Sequence, residues 1–387
     1  MPVDSADILV IGGGIVGASA AYALARRGAR VTLVDRGDAG QATAAGAGII
    51  SPGTSLRPLP AFFALARPAS AYYSELLAQL AEDGQTETGY AVVGLLHVAC
   101  SAEEAAQLPA LEQLFRQRRD TGFAHIGDVM QLTGDETRAL FPALAPTVAG
   151  AIFTSDGARV DGRLLCDALR RAAERRGVRI VSGEAAFVHL GGRGSIEAIA
   201  VAGERLPAAA VVLAGGAWSA ALSEGIGVAL PVFPQRGQIL HLELADVDTD
   251  RWPIIVGSHS HYLLAFPPHR VVAGATREDE SGFDVRMTGG GVHEALSEAL
   301  RVAPGLADAT LREVRVGLRP ASPDGLPIIG RLPGWENVYV ATGHGPSGLQ
   351  LGPYSGVLVA GLALGDSTPP PDQIDLTPFA PERFQRV

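Results

Sequence analysis

Lysine is absent from this 387-residue chain: all 31 basic residues are arginine. That removes lysine Schiff-base chemistry, pyridoxal enzymes included, and the Walker-type loop whose lysine reaches terminal phosphates. Cysteine is nearly as scarce. Cys100 and Cys166 are too few for a disulfide framework or a tetrahedral zinc site, and both fall in apolar or helical patterns that read as buried, inert thiols. Positive charge is in deficit as well, with 41 acidic residues giving a net charge of −10. This argues against a nucleic-acid partner, since phosphate backbones select clustered basic residues. Apolar runs such as Val357–Leu364 fall far short of the roughly 18 residues a spanning helix needs. The opening MPVDSAD is too acidic and short for a signal peptide, so no membrane span and a cytoplasmic location are expected. His259, His261 and His269 lie in a turn-rich region without carboxylates at ligand spacing, and no metal is expected.

What is present is a globular composition, 47% hydrophobic and 19% charged, sufficient for a large core and, at this length, an expected division into two domains. Its most informative stretch is ILVIGGGIVGASAAYALARRGARVTLVD, ending at Asp35. An apolar strand leads into Gly12-x-Gly14-x-x-Gly17, then an Ala-rich helix, then a second apolar strand closed by an acid. Gly12 permits the tight turn, Gly14 lets a pyrophosphate approach the backbone, and Gly17 lets the helix lie close on the sheet. The pyrophosphate would sit on unpaired amides at the positive end of the helix dipole. Asp35 is placed to accept hydrogen bonds from a ribose and would repel a 2′-phosphate. An adenine dinucleotide follows, but this segment alone does not separate FAD from NAD.

Further along, DGRLLCDALRRAAERRG (161–177) reads as a helix with Asp161 at its N-cap, followed by a strand at 178–181. Residues 208–214 form a buried strand opening into Gly215-Gly216-Ala217-Trp218, and 338–341 form another before a final helix at 347–364. Residues 90–100 and 232–285 alternate apolar and polar positions and read as an antiparallel sheet. The expected fold is α/β plus α+β. A Rossmann-like domain takes residues 1–86, 143–218 and 311–365, and a discontinuous antiparallel-sheet substrate domain takes 87–142 and 219–310. Residues 366–387 are left as a loosely packed tail.

Three more segments, QATAAGAGIISP (41–52), VGLRPASPDGLPIIG (316–330) and ATGHGPSGLQLGP (341–353), join the N-terminal fingerprint in a telling order. With it they resemble the D-amino-acid oxidase superfamily of FAD-dependent oxidoreductases, in its glycine oxidase/D-amino-acid dehydrogenase branch. The likeness runs through nearly the whole chain, AGGAWS at 214–219 included. It implies non-covalent FAD, since no cysteine lies between 301 and 387 for covalent attachment. The dinucleotide would be held by Gly12, Gly14, Ile15, Val16 and Gly17, with Asp35 and Arg36 at the ribose, Ala186 at the adenine end and Gly215 in the AGGAWS turn. Ala47, Gly48 and Ile49 would line the flavin, small residues letting the backbone pass under a flat ring, with Thr43 at a phosphate or the ring and Ala44 also binding the cofactor. His344, Gly345, Pro346, Ser347, Gly348, Leu349 and Gln350 would present amides to the pyrimidine edge of the flavin, His344 through its backbone rather than as a catalytic imidazole.

Arg319, in a Gly-Leu-Arg-Pro turn, matches the family arginine that grips the substrate carboxylate as a fork, and Tyr262 matches a tyrosine that helps hold it. The implied activity is oxidative deamination of a small amino acid, D-configured or glycine-like, to an imine and then a 2-oxo acid. Hydride would pass to flavin N5 and electrons to O2. Orientation over the ring would do most of the work, without a dedicated side-chain base. One departure bears on substrate: glycine oxidases carry a second arginine before the last helix, where this chain has Gly345-Pro346-Ser347. That points away from strict glycine specificity toward a larger D-amino or secondary amino acid. A sarcosine- or proline-type oxidase, a quinone-linked dehydrogenase, and a flavin-binding protein without turnover remain as alternatives, and self-association is left open.

Overall fold

The computed structural model describes residues 7–188, 194–257, 261–366 and 374–385. The fingerprint strand Asp7–Ile11 lies at the centre of a six-stranded sheet. It runs parallel to Arg30–Asp35 on one side and Ala210–Leu213 on the other, with Ile8 opposite both Val31 and Ala210. Branched apolar side chains on both faces suit a strand covered on both sides. The order across the sheet is Ile328–Arg331, Val338–Thr342, Ala210–Leu213, Asp7–Ile11, Arg30–Asp35, Arg179–Ser182, and only Ile328–Arg331 is antiparallel. Because the chain leaves Asp7–Ile11 toward both flanks, a crevice opens at the carboxyl ends of the central strands. Helix Gly162–Arg175 forms where its capping residue predicts, the Asp161 carboxylate accepting from the amides of Arg163 and Leu164.

The second layer is an eight-stranded, mainly antiparallel sheet that carries Leu95–Ala99, Phe233–Glu243, Tyr262–Phe266 and Arg270–Gly274 among its strands. One assignment changes here. Residues 311–330 read as a return to the dinucleotide fold, yet strand Thr310–Ala321 pairs with Phe233–Glu243 along its length, Arg319 opposite Gln235 and Pro320 opposite Pro234. The chain rejoins the parallel sheet only at Ile328–Arg331. Gly-Leu-Arg-Pro looks like a turn because of its glycine and proline, but Thr310–Ala321 is an edge strand, where proline is tolerated. Gly150–Thr154, within the stretch assigned to the dinucleotide domain, also belongs to this sheet. Nor does the described part of the tail pack loosely: Phe379 is fully buried in the core, and Arg383 pairs with Asp324 at 2.7 Å. Among the described residues no helix is long and apolar enough to cross a membrane, and no three His, Cys, Asp or Glu converge as metal ligands. His259 lies outside the described residues.

The helices that start at the crevice are Ile15–Arg26 and Gly348–Ala363, and they pack directly on one another. Their contact depends on glycine. A Cβ at Gly352 would come within 2.9 Å of Ile15, and one at Gly356 within 2.6 Å of Ser19 Cβ and 2.7 Å of the Ala20 nitrogen. Backbone cannot give way as a flexible side chain can. Gly356→Ala should therefore lower stability by about 1–3 kcal/mol, the usual cost of overpacking, read as a shift in the denaturant midpoint.

His97 introduces a pH dependence. It lies in the fully buried strand Leu95–Ala99, its ring 5.0 Å from that of Phe115 and its Nε2 without a partner. Burial pushes the imidazole from 6.5 down to about 4. Between these values the unfolded chain binds the proton and the folded chain does not, so stability falls as pH drops through this window. His97→Leu should lessen that fall by the His97 share, leaving the part owed to His241 and His344, which are also pushed down to about 4. A shift of this size corresponds to on the order of 3 kcal/mol at the acid end, and the check is the difference between denaturation curves at pH 7.5 and pH 4.5. An equally steep loss in the variant would show that His97 is not the group responsible.

Candidate active site

One cavity of about 520 Å³ runs from the crevice of the parallel sheet to the face of the eight-stranded sheet. At its first end the chain turns at Gly12, whose φ of +106° and whose approach to the Ala214 carbonyl (2.3 Å from a built Cβ) admit only glycine. Helix Ile15–Arg26 then begins at Gly14 without a side-chain cap and without an acid in its first turn. Its opening amides and its positive end face the cavity through Gly14, Ile15 and Val16. The Ile15 amide donates to Thr43 Oγ1 at 3.0 Å, which leaves the threonine hydroxyl proton for an anion in the cavity. Gly17 does not line the cavity: a Cβ there would sit 1.8 Å from the Gly12 carbonyl, so its smallness serves helix–strand packing.

Asp35 faces the same space from the end of the second strand. Its carboxylate accepts from Gln41 Nε2 and the Gly37 amide at 3.3 Å. Gly13 passes so close that a Cβ would lie 2.6 Å from Asp35 Oδ2. Arg36 also lines the cavity, held by Asp38 at 2.9 Å and Glu184 at 2.8 Å. Ala186 completes this end from strand Ala185–Val188, and Gly215 borders the middle. The uncapped amides, the glycine cradle and the acid at the strand end together fit an adenine dinucleotide.

Midway, Ala47, Gly48 and Ile49 line the wall, whereas Ala44 does not. From the opposite side come His344, Gly345, Pro346, Gly348, Leu349 and Gln350. Ser347 is the exception in that turn, and its amide is consumed by the His344 carbonyl at 3.0 Å. The Ser355 hydroxyl donates to the Leu351 carbonyl, so it accepts from His344 Nε2 at 2.9 Å, which fixes the proton on that nitrogen. Burial pushes the ring down to about 4, leaving it neutral and turned into the last helix. That arrangement suits a backbone contact and gives no support to an acid–base role.

At the far end stand Arg319 and Tyr262. Arg319 NH1 donates to the Thr276 carbonyl at 2.9 Å and more weakly to Gln235 and Arg236 at 3.4 Å, and among the described residues it has no carboxylate partner. Its guanidinium lies over Gly237, where a Cβ would come within 2.4 Å of NH2. Burial draws it below the ordinary arginine value, with Arg277 adding to that shift and Tyr262, Glu278 and Asp279 opposing it without contacting the guanidinium directly. Tyr262, on strand Tyr262–Phe266, is raised by burial, and its hydroxyl has no hydrogen-bond partner among the described residues. A neutral donor and a half-used guanidinium thus share one face of the cavity.

Sequence reasoning passed over Gly13, Gln41, Trp218 and Arg277, all of which line this cavity. Gly13 and Trp218 stand inside motifs already singled out but occupy their variable positions. Arg277 lies just beyond a strand, with no motif of its own to mark it.

The family model described as FAD dependent oxidoreductase matches residues 7–362. Uncharacterized oxidoreductase YurR of Bacillus subtilis is 41% identical over 96% of this chain and 98% of its own length. Glycine oxidase of Geobacillus kaustophilus is 30% identical over 97% and 96%. Among solved structures, iminodiacetate oxidase (IdaA) of Chelativorans sp. BNC1 superposes with a TM-score of 0.90 at 40% identity, covering 97% of this chain and 98% of that one.

If the Asp35 carboxylate holds the adenosine ribose, Asp35→Ala should weaken FAD binding by about 1.5–3 kcal/mol, the worth of a charged hydrogen-bond acceptor. Titrating the apoprotein with FAD and following flavin fluorescence measures this. Unaltered affinity would make Asp35 a strand-end residue with no cofactor role.

Proposed function

The chain belongs to the family of FAD dependent oxidoreductases, on its glycine oxidase branch, and from that premise we propose that it oxidises the C–N bond of a small amino or imino acid. The substrate loses two hydrogens to give an imine, and water hydrolyses the imine to a 2-oxo acid and an amine. FAD, when bound, supplies the two-electron acceptor. Held by the amino end of helix Ile15–Arg26 at Gly14 and Val16, by the Thr43 hydroxyl, by Asp35 and by the wall of Ala47–Ile49, it would reach the end of the cavity where Arg319 stands.

The observation that carries this reading is a guanidinium at the far end of the cavity that, among the described residues, makes no ion pair with a carboxylate. Arg236, on the adjacent strand of the same sheet, pairs with Glu278 at 2.6 Å. Arg319 is instead fixed by carbonyls through NH1, leaving the rest of its fork for an incoming carboxylate. The Tyr262 hydroxyl adds a donor. This pair orients the substrate, and the apolar wall of Ala47, Ile49 and Leu349 keeps water from the reacting carbon. No side chain need take a proton from carbon. We take O2 as the electron acceptor, with one hydrogen peroxide formed per imine. A secondary amine as substrate is favoured by the 40% identity to an iminodiacetate oxidase.

Flavin bleaching under anaerobic conditions with glycine, D-alanine, sarcosine and iminodiacetate would identify the donor. Acid precipitation should leave the yellow colour in the supernatant as FAD. Arg319→Leu should lose on the order of 3–5 kcal/mol in kcat/KM, from two charge-assisted bonds of about 1.5–3 kcal/mol each. Arg319→Lys should recover only part, since a point charge does not reproduce a planar fork. Flavin content should stay near wild type. Loss of FAD, or native turnover, in Arg319→Leu would overturn this placement of the substrate carboxylate.

A further inference from the structure

Three arginines line the cavity: Arg36, Arg277 and Arg319. Arg36, at the dinucleotide end, is matched by Asp38 and Glu184. The two at the substrate end have no carboxylate partner, and Arg277 has no hydrogen bond or ion pair of any kind among the described residues. Two unneutralised guanidiniums in one substrate pocket exceed what a single carboxylate requires.

The placement of Arg277 follows from strand alternation. Beyond Arg270–Gly274 the chain continues extended, bridging to Arg236 at Glu278. Thr276 and Glu278 point to the neighbouring strand: Gln238 donates to Glu278 Oε1 at 2.8 Å, Arg236 to Oε2 at 2.6 Å, and the Gln238 amide to Thr276 Oγ1 at 3.0 Å. The residues between them, Ala275 and Arg277, therefore face the cavity, and both line it. The acids nearest in sequence are engaged elsewhere, Glu278 with Arg236 and Asp279 with Gln235 Nε2 at 2.6 Å.

We propose that Arg277 is a second carboxylate anchor, so that the site selects amines bearing two carboxylates, one held by Arg319 and the other by Arg277. This rests on the amino- or imino-acid reading above and deepens it to a dicarboxylic substrate. Arg57 adds to the field. It is half-buried, stacked 4.9 Å from the centroid of Phe62, and its side chain has no hydrogen-bonding partner among the described residues. Burial lowers its affinity for its proton and the charge of Arg277 lowers it further, so the two cations sense each other. An anion at Arg277 relieves that repulsion. The chemistry at the reacting carbon is unaltered: its C–H and the N–H give two electrons and two protons through FAD to O2, and water cleaves the imine.

The test uses the flavin-loaded enzyme and a pair of acids that have no nitrogen to oxidise, diglycolate with two carboxylates and methoxyacetate with one. Each is titrated while following the flavin absorption spectrum. Wild type should bind diglycolate about ten- to a hundredfold more tightly, as a further charge-assisted contact implies. Arg277→Gln should bring that preference to within about threefold, and Arg277→Lys should retain part of it. Arg277 is exposed and unbonded, so neither change disturbs packing. Kinetics with iminodiacetate, D-aspartate, sarcosine and D-alanine then report the spacing of the two carboxylates, the loss in Arg277→Gln appearing in KM for the dicarboxylic members. A wild type that binds both acids equally, or a preference that survives Arg277→Gln, would overturn this proposal while leaving the one-carboxylate reading intact. A loaded enzyme that binds neither acid would overturn both.

Discussion

The site depends first on how closely two helices approach. Ile15–Arg26 and Gly348–Ala363 are far apart in sequence, yet each begins at the same cavity and turns its amino end toward it. What brings them together is the missing Cβ at Gly352 and Gly356, which lets one backbone rest against Ile15, Ser19 and Ala20 of the other. A wider spacing would swing the His344–Gln350 turn away from the wall formed by Ala47–Ile49. Dinucleotide anchoring and the shape of the ring pocket are therefore set by one packing contact.

The second constraint is electrostatic. A chain of net charge −10 pairs most of its arginines and leaves a few in one cavity unpaired. Water and carbonyl dipoles stabilise these cations less well than a carboxylate would, so their unmatched charge attracts an anion into the cavity. Arg319 is not free to collapse onto the protein, because the Thr276 carbonyl and the bare backbone of Gly237 fix its plane. The segment that supplies that carbonyl is itself clamped by Glu278 through Arg236 and Gln238. The acid that would otherwise neutralise the pocket is used to build it.

Much of this was legible in the sequence where a residue has one physical use. Gly12 and the Asp161 cap each do locally what their type requires, and local rules reach that far. Thr310–Ala321 was misassigned because its glycine and proline imitate a turn, whereas the pairing with Phe233–Glu243 that makes it a strand is decided by residues far away in sequence. Ser347 looked like one more free amide in a glycine-rich turn, until the tight turn at Gly345–Ser347 closed its N–H onto His344. Arg277 carried no signal at all. Its importance comes from facing a cavity without a partner, and only tertiary structure reveals which of 31 arginines is in that position.

Chain order and spatial order diverge for a reason that joins these points. The residues at the dinucleotide end come from the carboxyl ends of parallel strands, a fixed edge that tolerates little variation in geometry. The residues at the substrate end, Tyr262, Ala275, Arg277 and Arg319, come from strands of an antiparallel sheet and the extended chain beyond one of them. On such a face a position can change its side chain without moving its neighbours, since alternation fixes direction independently of identity. An arginine at 277, between two residues bonded to the adjacent strand, adds a charge to the pocket without altering the grip of Arg319. In the proposed function the cofactor end would hold the common chemistry, and the sheet face would determine which amine is brought to it.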